Sequence, residues 1–224
     1  MYTERKYSTG LDESLAIHIA LAFIHFDDFG LDNELFTAFW NKKNTKRHKE
    51  FISFVGRHCI SRERADLWLK ENKVAKEKIK SLWDWILEHC DDPEALSEFG
   101  FWMSVKDGAF DNIPWLADRI VKTLEKTRGA VEWEIKLMDS LPILADVAPK
   151  ETLKILRLYF TGTTFRQRPG YFRTEIGTVD LFRKLYKNPE LEKEVYNLIN
   201  ELLPVGNGMF WSLEEVINEN KKNL

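Results

Sequence analysis

The feature that most constrains the fold is the helical spacing of apolar residues in every strongly patterned segment. Before Cys90, apolar residues follow the i, i+3, i+4, i+7, i+11 spacing of one helical face, at Ile79, Leu82, Trp83, Ile86 and Cys90. Similar stripes lie at 137–148 and 191–202, and strict apolar–polar alternation is sustained nowhere. Because a stripe with a 3.6-residue period is one face of an α-helix, the sequence predicts an all-α protein without a sheet of three or more strands.

Start and stop signals divide the chain into about a dozen helices. Asp92 before Pro93 and Asn188 before Pro189 are typical helix N-caps, and glycines at 30, 129 and 162 are typical helix ends. Pro142 is expected to kink or split its helix, because it lacks a backbone N–H and clashes with the preceding turn. The predicted helices lie near residues 12–28, 33–41, 45–59, 62–70, 73–90, 93–104, 114–127, 132–147, 151–160, 175–187, 190–203 and 212–220.

Several predicted helices are apolar on more than one side, as at Trp85 and along 153–160. Such helices lie between two neighbours, and helix pairs that recur every 35–45 residues or so are typical of stacked repeats. The sequence therefore predicts stacked helical hairpins in a HEAT- or armadillo-like α-solenoid. A single domain would span residues 1–224, with 1–10 as a flexible N-terminal arm. A compact multi-helix bundle is the alternative architecture.

The composition is that of an ordinary globular protein, with 44% hydrophobic and 31% charged residues among 224. A chain of this length can bury a core without a disulfide or a metal. Cys59 and Cys90 are expected to be reduced, buried thiols. The opening residues 1–10 lack the features of a signal peptide, and the apolar run at 15–26 is too short to span a bilayer. These features favour a cytoplasmic protein that does not insert into a membrane.

Motifs that carry catalytic chemistry are missing from the sequence. It contains no phosphate-binding loop, dinucleotide fingerprint, nucleophile elbow or HExxH pair. His18 and His25 are seven residues apart on one helix, and that spacing is too long for a shared metal ion. His58 and Cys59 are adjacent, so their side chains diverge on a helix. We therefore expect no enzymatic activity, no cofactor and no bound metal.

Charge is unevenly distributed although the net charge is only −3. Residues 41–80 carry 13 Lys and Arg against 5 Asp and Glu, whereas residues 81–150 carry 7 against 14. A basic tract in the first region could contact phosphates or could form a solvated helix face. It consists of Lys42, Lys43, Lys46, Arg47 and Lys49.

A long irregular segment at 161–174 is the strongest candidate for partner binding. Its 14 residues contain three arginines and no acidic residue. Connections of this length in a tightly linked helical protein are uncommon and often functional, although its aromatic residues could instead pack back onto the helices. The predicted partner-binding residues are Phe165, Arg166, Arg168, Tyr171, Phe172 and Arg173.

Three groups of packing and turn residues carry a resemblance to a known class of protein. They are Leu82, Trp83, Trp85, Phe99, Gly100, Phe101, Trp102, Asp107, Gly108, Phe110 and Trp115; then Leu144, Ala145, Ala148, Pro149, Leu153, Leu156 and Leu158; then Leu198, Ile199, Asn200, Leu202, Gly206, Gly208 and Phe210. In these groups the chain resembles the C-terminal helical-repeat region of large prokaryotic multidomain NTPases of the kind associated with defence and signalling. The resemblance implies a helical-repeat fold and carries over no catalytic residue. It also implies that the chain is the tail of a larger multidomain protein or a stand-alone relative.

Together these observations predict a non-catalytic helical-repeat module that binds a macromolecular partner, with protein favoured. Binding of nucleic acid, as by a helical-repeat DNA glycosylase, is the alternative. Near-neutral charge argues against that alternative, because nucleic-acid binding requires a strongly basic face.

Overall fold

A computed structural model describes residues 2–60, 72–105, 110–162, 177–204 and 210–221. These residues form eleven α-helices and no β-strand, which confirms the predicted all-α class. A π-helical turn (Gly56–Ile60) follows α3 and a 3₁₀-helix (Ser97–Met103) follows α5. The helices are α1 (Tyr2–His25), α2 (Glu34–Asn41), α3 (Thr45–Val55), α4 (Lys73–His89), α5 (Pro93–Leu96), α6 (Ile113–Thr127), α7 (Glu134–Val147), α8 (Pro149–Thr161), α9 (Gly177–Tyr186), α10 (Glu192–Leu202) and α11 (Leu213–Lys221).

Side-chain caps fix the start of several helices. Five helices begin after an Asn or Asp whose side-chain oxygen accepts a hydrogen bond from a backbone N–H of the first turn, at Asn33, Asn44, Asn72, Asp92 and Asn112. Each such cap typically contributes about 1 kcal/mol. The predicted cap at Asp92 is confirmed. The predicted cap at Asn188 instead closes a turn with the N–H of Glu190, and α10 begins at Glu192.

The chain divides into two compact units, one made of residues 1–111 and 131–137 and the other of residues 112–130 and 138–224. In the first unit α1 packs on α3, and α3 packs on α5 and the 3₁₀-helix. Aromatic rings fill this core: Trp83 stacks on Phe99 with centroids 5.0 Å apart, and Phe36 meets Phe51 edge to face. The Trp102 indole N–H donates to the carbonyl of Ile52 over 3.0 Å, so this buried ring has its polar atom satisfied.

In the second unit each helix of one layer packs on the helix two places later in the chain. α6 packs on α8 and α8 on α10, while α9 packs on α10 and α11. The residues that follow α6 and α8 lie directly against each other where Gly129 meets Gly162. A Cβ on Gly129 would lie 2.2 Å from the carbonyl oxygen of Leu158, and Gly129 has a φ of +81°. Glycine is therefore required there by both space and backbone conformation.

The predicted core positions are confirmed. The six residues expected in the core are all buried: Trp83, Ile86, Leu141, Leu156, Leu198 and Leu202. The two cysteines, Cys59 and Cys90, are buried and not disulfide-bonded, as expected from the sequence.

Two local expectations differ from the structure. Residues 1–10, predicted as a flexible arm, are helical from Tyr2 onward as the start of α1. This segment contains no proline that would interrupt the helix. Its one glycine, Gly10, lies inside the helix and a Cβ there would meet no atom within 4 Å. Of the kink or split expected at Pro142, the split does not occur, since α7 runs from Glu134 to Val147 with Pro142 inside it. None of the described helices combines the length and apolarity needed to cross a membrane.

Candidate protein-interaction site

The predicted partner-binding segment lies largely outside the described residues. Residues 163–176 are not among the described residues, and they include all six predicted binding residues. These are Phe165, Arg166, Arg168, Tyr171, Phe172 and Arg173. Its described beginning is firmly placed, because Thr161 ends α8 and Gly162 lies against the backbone of Arg128. The role of this segment stays a prediction.

The basic tract is largely paired with acidic residues of the same unit. Lys46 lies 2.8 Å from Glu13, the Arg47 Nε donates to Asp12 over 2.7 Å, and Lys49 donates to Glu94 over 3.0 Å. The hydrogen bond from Arg47 holds the pKa of Asp12 below its usual value. These pairs neutralise three of the five positive charges, and Lys42 and Lys43 remain exposed. The tract thus offers phosphates less positive charge than its sequence suggests.

A groove between α3 and the start of α5 has a volume of about 450 Å³. Its lining carries charges of both signs. Lys49 lies between Glu94 and Glu98, 3.0 Å and 3.8 Å away, and Thr45 donates to Asp92 at the rim. The lining residues are Thr45, Lys46, Lys49, Glu50, Ser53, Glu94 and Glu98.

Glu98 is the most perturbed carboxyl group of this groove. Burial raises its pKa, although a hydrogen bond with Ser53 and the charge of Lys49 oppose the shift. Burial lowers the pKa of Lys49, but the hydrogen bond and charge of Glu94 outweigh it and the pKa is raised. The groove is therefore an ion-pair network in which each lysine charge is already balanced.

The groups capable of nucleophilic or metal chemistry are placed apart or buried. Burial raises the pKa of the Cys59 thiol to about 12, and that value leaves almost no thiolate at neutral pH. Among the residues that the structure describes, no three His, Cys, Asp or Glu side chains are grouped to hold a metal ion.

The most unusual exposed residue is Trp133, which precedes α7. Its φ is +58°, in the left-handed region that bulky residues rarely adopt, and 52% of the residue is exposed. The indole packs on Phe101 with ring centroids 4.7 Å apart. Ile135, two residues later, is 64% exposed. We call residues 131–135 the aromatic turn.

Backbone contacts fix the conformation of the aromatic turn. The N–H of Glu132 donates to the carbonyl of Ser97 over 2.8 Å, and the N–H of Lys136 donates to the carbonyl of Trp133 over 3.0 Å. Gly100 lies directly against the turn, since a Cβ there would be 1.7 Å from the carbonyl oxygen of Glu132. Val131 is buried on the inner side of the turn. The exposed indole is thus held in place before any partner binds.

The sequence contains a partial signal for this site. Trp133 is one of eight tryptophans, and spacing alone gave no reason to separate it from the packing anchors. The residues that contact its turn, Gly100 and Ser97, lie more than 30 residues earlier in the chain, so no local pattern reveals the turn. Comparison with protein-family models, with curated proteins and with solved structures found no match.

Proposed function

We propose that this chain is a non-catalytic helical module that binds a protein partner, with Trp133 as the anchor. The observation that carries the proposal is the half-exposed indole on a backbone held in the left-handed region. Tryptophan is among the residues most enriched at interface hot spots. An immobilised indole also binds without the entropic cost of ordering a flexible side chain.

The strain at Trp133 supports a role in binding. A non-glycine residue in a sparsely populated backbone region costs roughly 1–3 kcal/mol, and such residues cluster at functional sites. Glycine would adopt the same φ without that cost. A tryptophan that is half exposed recovers only part of the cost through its contact with Phe101. Folding alone would therefore favour a different residue at this position.

A protein partner fits this surface better than nucleic acid. Glu132 and Glu134 flank Trp133 in the sequence, and they would repel a phosphate backbone. The exposed Ile135 extends the apolar area next to the indole, as in the core of a protein interface. The ion pairs of Lys46, Arg47 and Lys49 reduce the charge available to phosphates elsewhere in the same unit.

We also propose that the helices are stacked as repeats. In the second unit, α6, α8 and α10 pack in succession, and α9 packs on α11. Packing of each helix on the one two places later is expected of stacked helical hairpins. A cytoplasmic location and a relationship to the tail regions of prokaryotic multidomain NTPases accompany this proposal.

The first prediction concerns a Trp133→Gly variant. Glycine removes the indole and relieves the strained φ, while the contact with Phe101 is lost. Because these effects oppose each other, we expect the free energy of unfolding to stay within about 1 kcal/mol of the parent. Partner capture should be lost. The measurement is photo-crosslinking from cell extract with p-benzoylphenylalanine in place of Ile135, followed by mass spectrometry.

The matched control is Trp211→Ala, which removes a tryptophan that is 70% exposed in the second unit. This variant should retain the same crosslinked partner. Retention of the partner by Trp133→Gly, or its loss in both variants, would count against the aromatic turn. Crosslinked material that disappears on nuclease treatment would favour the nucleic-acid alternative instead.

A further inference from the structure

α1 has an apolar face that is independent of the aromatic turn. From residue 14 to residue 26 the sequence SLAIHIALAFIHF contains no Asp, Glu, Lys or Arg. One side of this stretch is buried where α1 packs on α3, through Ala16, Ile19, Ala20 and Phe23. A helix that is apolar all round is normally buried all round. The other side of α1 is exposed.

The exposed side forms a continuous stripe. Leu11 is 70%, Leu15 40%, Leu21 37% and Phe26 60% exposed. At about 100° per residue, all four lie within about 80° of His18 on the helical wheel. The smaller residues Ser14 and Ala22 lie on the same side. We call this surface the α1 stripe.

We propose that the α1 stripe is the interface of a symmetric dimer, in which it packs antiparallel against the same stripe of a second copy of this chain. The arrangement is self-complementary about His18. When the two His18 residues face each other, Leu15 of one copy lies opposite Ala22 of the other, and Leu21 lies opposite Ser14. At these two central positions a large residue thus meets a small one, as in knobs-into-holes packing.

The charges at both ends of the stripe favour a second copy over a charged partner. Asp12 and Glu13 are paired with Arg47 and Lys46, respectively. At the other end, burial lowers the pKa of Lys78, and the charges of the nearby Asp27 and Asp28 oppose that shift. Each end of the stripe thus carries acidic groups that have a basic group of the same chain nearby. A neutral apolar surface provides no electrostatic complement for a charged ligand.

The area of the stripe fits a weak dimer. The stretch from Leu11 to Phe26 is about 22 Å long, and a helix face is about 10 Å wide. Two such faces have a combined area of about 440 Å² before the relief of their side chains is counted, below the roughly 1,000 Å² of stable specific interfaces. The dimer is therefore expected to dissociate at micromolar concentrations.

The geometry at His18 can be tested with a disulfide. Its Nδ1 is 2.6 Å from the carbonyl oxygen of Ser14, so the ring is held along its own helix. Facing helices lie about 8–10 Å apart, and Cα atoms lie about 2.3 Å from each axis. Two facing residues at position 18 would thus have Cα atoms about 4–5 Å apart, a separation that a disulfide can span.

The experiment is sedimentation velocity on the full chain from about 1 to 200 µM. We expect the mass to rise toward twice 26.4 kDa with concentration. Leu15→Glu should keep the chain monomeric throughout this range, whereas Leu35→Glu, at a more exposed leucine on α2, should dimerise like the parent. Circular dichroism spectra and melting temperatures of both variants should match the parent, so that misfolding is excluded.

A second measurement tests the antiparallel pairing. Under mild oxidation, His18→Cys should form a covalent dimer rapidly, and Leu35→Cys should not. A parent chain that stays monomeric at 200 µM would overturn the proposal, as would dimerisation that Leu15→Glu leaves intact. Failure of His18→Cys to crosslink would overturn the pairing about His18. None of these measurements depends on Trp133, so the dimer and the proposed function can fail separately.

Discussion

Gly100 has no room for a side chain, because the carbonyl oxygen of Glu132 occupies the place of a Cβ. The atom that would clash belongs to the backbone, so a rotation of a side chain cannot relieve the contact. The N–H of the same residue, Glu132, is bonded to Ser97, and this bond limits how far the turn can move. The absence of a side chain at Gly100 thus allows the aromatic turn to lie directly against the 3₁₀-helix.

We therefore predict that Gly100→Ala destabilises the protein by about 3 kcal/mol, at the upper end of the usual cost of overpacking. The free energy of unfolding in a denaturant titration gives this value. The control is Gly10→Ala, where a Cβ meets no atom within 4 Å inside α1. That change should stabilise the protein by about 0.5–1 kcal/mol, because alanine favours a helix interior. Equal effects at both glycines would contradict the close contact.

The sequence correctly predicts which residues are buried where the apolar spacing of a helix decides burial. Leu198 and Ile86 lie in apolar stripes, and both are fully buried. The sequence could not identify the conformation of Trp133, because the contacts of its turn are with Ser97 and Gly100, which are distant in the chain. Nor could composition show that the cations of the basic tract are paired with Asp12, Glu13 and Glu94. Pairing depends on which helices pack together.

At the scale of elements, most helix bounds follow from signals in the sequence. α6 and α8 lie within one or two residues of their predicted ranges, because proline starts and glycine ends mark them. The helix predicted at 45–59 is divided, since α3 ends at Val55 and a π-helical turn continues to Ile60. A change from one helical hydrogen-bond pattern to another leaves the apolar spacing almost unaltered. The helix predicted at 62–70 lies outside the described residues.

The segment at 161–174 provides a prediction at the scale of an element. We expect Arg166→Glu combined with Arg168→Glu to abolish partner capture while the melting temperature barely changes, because arginines at interfaces contribute through direct contacts. The measurement is the crosslinking experiment described for Trp133, with melting followed by circular dichroism.

Charge reversal at Lys42 and Lys43 serves as the control, since it changes the charge equally at exposed lysines of the first unit. Capture that survives the arginine changes but is lost in Trp133→Gly would assign binding to the aromatic turn alone. If the captured material is nucleic acid, the arginine changes should instead flatten the salt dependence of its binding.

At the scale of the whole molecule, the chain passes from one compact unit to the other three times, after residues 111, 130 and 137. The last of these points lies inside α7, which spans Glu134–Val147 without interruption. A continuous helix that belongs to two units restricts separate unfolding, because opening either unit exposes part of that helix.

We therefore predict a single thermal transition, in which the calorimetric and van't Hoff enthalpies agree. Trp83→Ala in the first unit and Leu198→Ala in the second should each lower the temperature of that one transition. Each change leaves a cavity, which destabilises the protein by about 2–5 kcal/mol. Differential scanning calorimetry is the measurement. Two separate transitions, each sensitive to one variant only, would show that the units unfold independently and that the single-domain prediction is wrong.

The three crossings also restrict how the gene for this protein can be rearranged during evolution. Residues 112–130 interrupt the first unit, so no uninterrupted stretch of the gene encodes that unit alone. A recombination event at any one point between residues 1 and 137 would separate parts of the same core. An exchange of gene segments that keeps both cores intact would therefore have to carry the two units together.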